Sequence, residues 1–140
     1  MNIALIAHDS KKELLVSFCT AYQKTLSYNK LWATDTTGKL IATSAKLSVA
    51  RCLSGPQGGI QYISSKIACN EIDVLFFFRD PLNQDENSRH DDVEILRVCD
   101  MHNIPMATNI ATGEALIHAL ERGDLDWRKN YSDELGRLLN

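Results

Sequence analysis

The chain has 140 residues, of which 44% are hydrophobic and 24% charged, and a net charge of −3, an ordinary balance for one soluble globular domain. No Lys/Arg cluster exceeds the pair Lys11-Lys12, so we expect no nucleic-acid partner. The longest apolar run, Val74 to Phe78, is too short to cross a bilayer, and the charges from Asp9 to Glu13 interrupt any signal-like start. The four cysteines form no C-x-x-C pair, which favours buried free thiols over a disulfide frame or a zinc site. We therefore expect a cytoplasmic protein without a membrane partner or a metal.

Short apolar runs alternate with amphipathic patterns along the chain, which predicts strands and helices in turn. The pattern after the first strand, for example, places Leu15, Phe18 and Tyr22 on one helical face. In chain order we predict a strand at 2–7, a helix at about 11–25, a strand at 30–33, a helix at about 39–44, a strand at about 48–53, a helix at about 59–70, a strand at 73–78, an irregular loop at 79–90, a helix at about 91–102, a strand at 104–107, a helix at about 113–122 and a polar tail from 123 with one short helix near 133–139.

This alternation predicts an α/β fold, a single three-layer domain with a five-stranded parallel sheet and helices on both faces. In such sheets ligands bind beyond the carboxyl ends of the strands. A polar motif follows each predicted strand at this edge: AHD, TDTTG, SGPQGG, RDPLN and TNIATG, in chain order. The sequence therefore predicts one site, assembled from all five strand ends.

The TDTTG motif supplies the hydroxyls of Thr34, Thr36 and Thr37 where the chain turns into a helix. A helix N-terminus presents free N–H groups and a partial positive charge, which suits a phosphate. An alternative is an ordinary cap in which the threonine side chains satisfy the first turn. Ser54-Gly55 opens a second such turn, and Lys12 would bring a cation to the same edge. Nucleotide-binding P-loop and dinucleotide fingerprints are absent from the sequence.

Acid–base groups follow the first and fourth predicted strands. His8 and Asp9 end the first strand, where such a pair is catalytic or structural. Asp80 ends the most buried strand, where a carboxylate needs hydrogen-bond partners or a shifted pKa, although it would also serve to order the loop before Pro81. His90 and Asp92 follow, and Asp91 between them is a candidate N-cap that would leave His90 in solvent.

Together these motifs resemble the methylglyoxal synthase family. The resemblance rests on AHD, T-x-T-T-G, SGPxGG, DPLN and IPxATN in that order, and it covers roughly residues 2 to 122. It implies the methylglyoxal synthase-like fold and a lyase that converts dihydroxyacetone phosphate to methylglyoxal and phosphate. It also implies a small phosphorylated metabolite as the ligand, no cofactor and a homohexamer.

The resemblance also implies roles for individual residues. His8 contacts substrate oxygens, Asp9 helps to organise the site, His90 polarises the carbonyl, and Asp92 assists it. Asp9, Asp80, His90 and Asp92 are therefore the catalytic candidates. Asp35 stands among the phosphate-binding residues in place of a glycine that is usual in the family. The positions that match the phosphate-binding residues of the family are Lys12, Thr34, Thr36, Thr37, Ser54 and Gly55.

One position departs from the family at the centre of its chemistry. The family pattern S-G-P-x-G-G-D ends on the acidic proton acceptor, and this chain has Ile60 there, whose alkyl side chain cannot accept a proton. Two hypotheses follow. In the first, Asp9, Asp80 or Asp35 takes over the base function and the enzyme turns over slowly. In the second, the chain is a catalytically silent phosphate-binding or regulatory module of the same fold.

Overall fold

A parallel sheet of five strands is the centre of the computed structural model, which describes residues 1–52 and 58–129. Its order is β3-β2-β1-β4-β5, and every pairing is parallel. The predicted α/β arrangement is therefore confirmed. The strands are β1 (Asn2–Ala7), β2 (Lys30–Thr34), β3 (Val49–Cys52), β4 (Val74–Phe78) and β5 (Met106–Ala107).

Helices cover both faces of the sheet, as the alternation of strands and helices predicted. A 3₁₀ turn, Asp9–Lys11, leads from β1 into the first helix. Among the described residues, no helix has the length and apolar composition needed to cross a membrane. The helices are α1 (Lys12–Ala21), α2 (Gln23–Ser27), α3 (Asp35–Ser44), α4 (Gly59–Ala68), α5 (Glu86–Met101) and α6 (Ile110–Arg122).

Alternate residues of each central strand belong to two separate apolar cores, because successive side chains of a strand point to opposite faces. On β4, Phe76 packs in a core with Phe18 of α1 and Ile117 of α6. Its neighbour Phe77 packs in the other core with Ile63 of α4 and other apolar residues of α4 and α5. All five residues of β4 are buried, which explains why this strand is the longest apolar run of the sequence.

The strand order contains one switch point, between β1 and β4. The chain builds β1, β2 and β3 outward in one direction and then places β4 on the other side of β1. Ligands of open α/β sheets bind at the carboxyl ends of the strands beside such a switch. The fold therefore concentrates the site on the residues that follow β1 and β4.

The boundaries at the amino half differ from those predicted. The helix predicted at 11–25 is two helices, because Tyr22 leaves the helical conformation with φ of −110° and ψ of 28°. The helix predicted to begin near Lys39 begins at Asp35, directly after Thr34 in extended conformation. The TDTTG motif is thus the first turn of the helix and not a loop before it.

The loop predicted at 79–90 is shorter, because α5 begins at Glu86. Asp85 is its N-cap, and its carboxylate accepts hydrogen bonds from the backbone N–H groups of Asn87 and Ser88. The prediction of Asp91 as the N-cap is therefore wrong. A cap six residues earlier satisfies the free N–H groups, and Asp91 lies within the helix.

Later boundaries differ by a few residues. Only Met106 and Ala107 pair as β5, and α6 begins at Ile110, where the Asn109 side chain caps it by accepting from the backbone N–H of Thr112. The helix predicted near 133–139 lies outside the described residues. Cysteines 19, 52 and 99 are buried free thiols as expected, whereas Cys69 is exposed.

Candidate active site

His8 joins the ends of three elements at the switch point. Its ring Nδ1 accepts a hydrogen bond from the backbone N–H of Asp80 at 2.7 Å, so that nitrogen carries no proton. Its Nε2 therefore donates, and it lies 2.9 Å and 3.1 Å from the two carboxylate oxygens of Asp92. The edge of the ring also contacts Phe77, with 5.3 Å between ring centroids. The end of β1 is thus tied both to the end of β4 and to α5.

Asp92 is the buried charge of this site. Its side chain is 2% exposed, and a buried carboxylate needs charged or hydrogen-bonding partners. Besides His8, it faces Arg79, whose Nε lies 3.8 Å from a carboxylate oxygen. Sequence reasoning missed Arg79, although a lone cation directly after the most buried strand is a signal for it.

Asp80 has the partners that its position after β4 requires. One carboxylate oxygen accepts from the backbone N–H of Leu82 at 2.9 Å, and the other accepts from the Ser10 hydroxyl at 2.9 Å. The hydrogen bond from Leu82 and then that from Ser10 lower the pKa of Asp80 below its ordinary value. Asp80 therefore orders its own loop and also presents an ionised carboxylate at the sheet edge.

Asp9 and Lys12 form an ion pair across the start of α1. The Lys12 ammonium lies 2.8 Å from an Asp9 carboxylate oxygen, and the Asp9 side chain is almost fully exposed. The hydrogen bond and the charge of Lys12 lower the pKa of Asp9. A second ionised carboxylate and a cation thus lie beside the end of β1.

The first turn of α3 carries the threonines of the predicted phosphate site. Thr34 makes no side-chain capping hydrogen bond, so the alternative of an ordinary threonine cap is wrong for this residue. Thr37 is 0% exposed, and its hydroxyl has no hydrogen-bond partner among the described residues. A buried hydroxyl without a hydrogen-bond partner lowers the stability of the fold. The same turn also carries the backbone N–H groups that a helix N-terminus leaves without an acceptor. Thr36 in the same turn is exposed.

Asp35 begins this helix with its side chain 56% exposed. One of its carboxylate oxygens lies 3.8 Å from Nε of Arg51, the residue before the last of β3. Sequence reasoning missed Arg51, because a single arginine at the end of a weakly patterned strand carries no motif.

The remaining predicted residues lie apart from this network or outside the described ranges. His90 is exposed on α5, whereas Asp92 is buried, because residues two positions apart on a helix face different directions. The structure therefore does not bring His90 to His8. Ser54 and Gly55 lie outside the described residues. Ile60 is half-buried in the first turn of α4 and packs against the apolar core on that face.

Comparisons with known proteins agree with one another. The sequence profile of the MGS-like domain matches residues 14–108. A methylglyoxal synthase from Caldicellulosiruptor saccharolyticus is 56% identical over 135 residues, which cover 96% of this chain and 95% of that protein. One from Alkaliphilus metalliredigens is 52% identical, with coverages of 95% and 98%. The crystal structure of methylglyoxal synthase from Elizabethkingia anophelis NUHP1 matches with a TM-score of 0.74 at 38% identity, covering 83% of this chain and 76% of that one.

The hydrogen bonds of His8 generate a prediction for stability. The change His8→Phe keeps a ring against Phe77 but leaves the buried carboxylate of Asp92 without its donor. We expect the free energy of unfolding to fall by about 3 kcal/mol, because a buried charge loses its main partner. Urea unfolding followed by circular dichroism, at one fixed protein concentration, measures this.

The matched control is Asp92→Asn, which keeps an oxygen acceptor for His8 and should cost about 1 kcal/mol. In a cycle of His8→Phe, Asp92→Leu and the double variant His8→Phe/Asp92→Leu, the double variant no longer buries the Asp92 carboxylate, so its loss of stability should be smaller than the sum of the losses of these two single variants. Strict additivity would contradict a direct His8–Asp92 interaction.

Asp80 generates a prediction for pH dependence. Its pKa is lower in the folded chain than in the unfolded one, so the folded state binds this proton less readily. Its contribution to stability is therefore complete above about pH 4 and is lost as the pH falls further. Between pH 5 and pH 3 the melting temperature of the natural chain should fall more than that of Asp80→Asn, as measured by thermal unfolding. Parallel curves for the two proteins would refute the assignment.

Proposed function

We propose, since this chain belongs to the MGS-like domain family, that it is a methylglyoxal synthase. In this proposal it converts dihydroxyacetone phosphate to methylglyoxal and phosphate. The observation that carries the proposal is the convergence of two features at one sheet edge. One is a helix N-terminus with a buried Thr37 hydroxyl that has no partner in the described part of the chain, and the other is the network of carboxylates around His8.

The reaction needs a base, a stabiliser of negative charge and a binding site for the leaving phosphate. The base removes a C–H proton from the hydroxymethyl carbon next to the ketone, which gives an enediolate. The C–O bond to the phosphate group then breaks, phosphate leaves with the electron pair, and the resulting enol becomes methylglyoxal. No oxidant or cofactor is needed for this balance.

The phosphate end of the substrate is assigned to the first turn of α3. Free backbone N–H groups at a helix N-terminus and a nearby cation are the usual partners of a phosphate group. By the resemblance this cation is Lys12, which begins α1 and is paired with Asp9 in the structure. The proposed phosphate-binding residues are Lys12, Thr34, Thr36 and Thr37, together with Ser54 and Gly55 by the resemblance alone.

The base is assigned to Asp9 or Asp80, because Ile60 cannot accept a proton. Asp92 is too buried to reach a substrate directly, and we propose that it acts by holding His8. The pKa values of Asp9 and Asp80 are both lowered, which keeps them ionised but makes them weaker proton acceptors than an ordinary carboxylate. Slow turnover is the physical consequence. For His90 the proposal is a contact with the substrate from the solvent side of α5.

The assembly and the compartment belong to the same proposal. A homohexamer in the cytoplasm is what the family resemblance implies for this chain, with a small phosphorylated metabolite as its ligand. A silent phosphate-binding module is the alternative that the presence of Ile60 favours. The relatives from Caldicellulosiruptor saccharolyticus and Alkaliphilus metalliredigens, 56% and 52% identical over more than nine-tenths of the chain, are methylglyoxal synthases, and they favour the enzyme.

The substitution Ile60→Asp tests the assignment of the missing base. The side chain would lie in the first turn of α4, where the helix N-terminus stabilises a carboxylate. We expect kcat for phosphate release from dihydroxyacetone phosphate to rise by about 10²-fold or more, because a positioned general base contributes about 10²–10⁴-fold. A coupled phosphate assay on the purified full chain measures it.

Ile60→Asn is the matched control, because asparagine has nearly the same shape as aspartate but carries no carboxylate that could accept the proton. It should leave kcat near that of the natural chain. Equal rates for the aspartate and asparagine variants would contradict the expectation that a carboxylate at position 60 acts as the base. If Ile60→Asp alone releases phosphate, the natural chain is the silent binder.

A further inference from the structure

The stem of Arg51 lies directly against the first turn of α3. A Cβ atom added to Gly38 would come within 2.7 Å of Cγ and 3.3 Å of Cδ of Arg51. The backbone of Arg51 is fixed by its register with Ala33 of β2, so the stem crosses the helix turn where Gly38 leaves room for it. The glycine of the TDTTG motif thus leaves room for the side chain of an arginine on β3.

The guanidinium group of Arg51 is held near the start of the same helix by a weak interaction. Its Nε lies 3.8 Å from the Asp35 carboxylate, and the two side chains are 47% and 56% exposed. At this distance and exposure an ion pair contributes little to stability, because water competes for both charges. Asp35 is therefore a partner that another anion can replace.

A phosphate group would find better hydrogen-bond donors at this turn than the Asp35 carboxylate does. The Thr37 hydroxyl is fully buried and has no hydrogen-bond partner within residues 1–52 and 58–129, and the free N–H groups of a helix N-terminus lie in the same turn. The planar guanidinium fork matches two phosphate oxygens, whereas a carboxylate at 3.8 Å makes no hydrogen bond with it. The helix turn that carries the backbone donors and the Thr37 hydroxyl is thus also the turn against which the Arg51 stem packs and from which Asp35 faces Arg51.

We propose that Arg51 is a further phosphate-binding residue of this site and that Asp35 is its internal competitor. The phosphate group of the ligand displaces the Asp35 carboxylate from Arg51 and takes its place. This inference rests on the proposed function, since it adds a residue to the same phosphate-binding turn. Asp35 then sets the affinity of the site for phosphate, because every phosphate bound must break the Arg51–Asp35 pair.

Binding of inorganic phosphate to the full chain, measured by titration calorimetry at low ionic strength, tests the inference without reference to turnover. Arg51→Met should raise Kd by about 10-fold or more, because a charge-assisted hydrogen bond is lost. Asp35→Asn should lower Kd by about 2–5-fold, because Arg51 is freed from an exposed pair. In the Arg51→Met background, the effect of Asp35→Asn should become smaller.

Two further variants exclude effects of folding and of net charge. Arg51→Lys keeps the charge and loses the fork, so its Kd should lie between those of the natural chain and Arg51→Met. Arg122→Met removes an exposed arginine that is paired with Asp124 after the end of α6, far from the sheet edge that carries the site. Its Kd should stay within about twofold of that of the natural chain, as expected for an exposed charge remote from the ligand.

The outcomes separate this inference from the proposed function. Equal phosphate affinity in the natural chain and in folded Arg51→Met would overturn the role of Arg51, and the phosphate-binding turn would stand without it. Failure of the folded natural chain to bind phosphate at millimolar concentration would overturn the phosphate site itself, and with it the proposed function.

Discussion

The arrangement of the candidate site depends on the two hydrogen bonds of a single imidazole. His8 accepts from the backbone of Asp80 and donates to Asp92, so the end of β1 fixes the end of β4 and the first half of α5. Both ring nitrogens of His8 therefore have hydrogen-bond partners within the protein. Through these two contacts His8 positions the start of the Asp80 loop and the Asp92 carboxylate.

At the same edge, phosphate binding and proton abstraction make opposite demands on the pKa of the carboxylates. A site for a phosphate dianion favours cations and backbone N–H groups, and these same groups lower the pKa of nearby carboxylates. Lys12 does so for Asp9, and backbone and hydroxyl donors do so for Asp80. The resemblance puts the proton acceptor of the family at position 60, which is half-buried in the first turn of α4 beside an apolar core. The side chain found there cannot serve.

Much of the architecture could be predicted from the sequence, because apolar periodicity and strand–helix alternation are local signals. The prediction that the polar motifs lie at one edge of the sheet followed from the parallel arrangement of the strands alone. The start of α5 could not be predicted in this way, because Asp85 and Asp91 are both good caps and only the packed structure selects between them. Arg79 and Arg51 were missed because their partners, Asp92 and Asp35, lie on the helices α5 and α3, and no spacing along the chain reveals these contacts.

The most direct test of the account is the conversion of dihydroxyacetone phosphate by the natural chain. Methylglyoxal and phosphate should form in equal amounts and faster than the spontaneous elimination in the same buffer, and inorganic phosphate should inhibit by competing for the α3 turn. A rate equal to that of the buffer alone, at saturating substrate and with folded protein, would contradict the claim that this sheet edge is an active site.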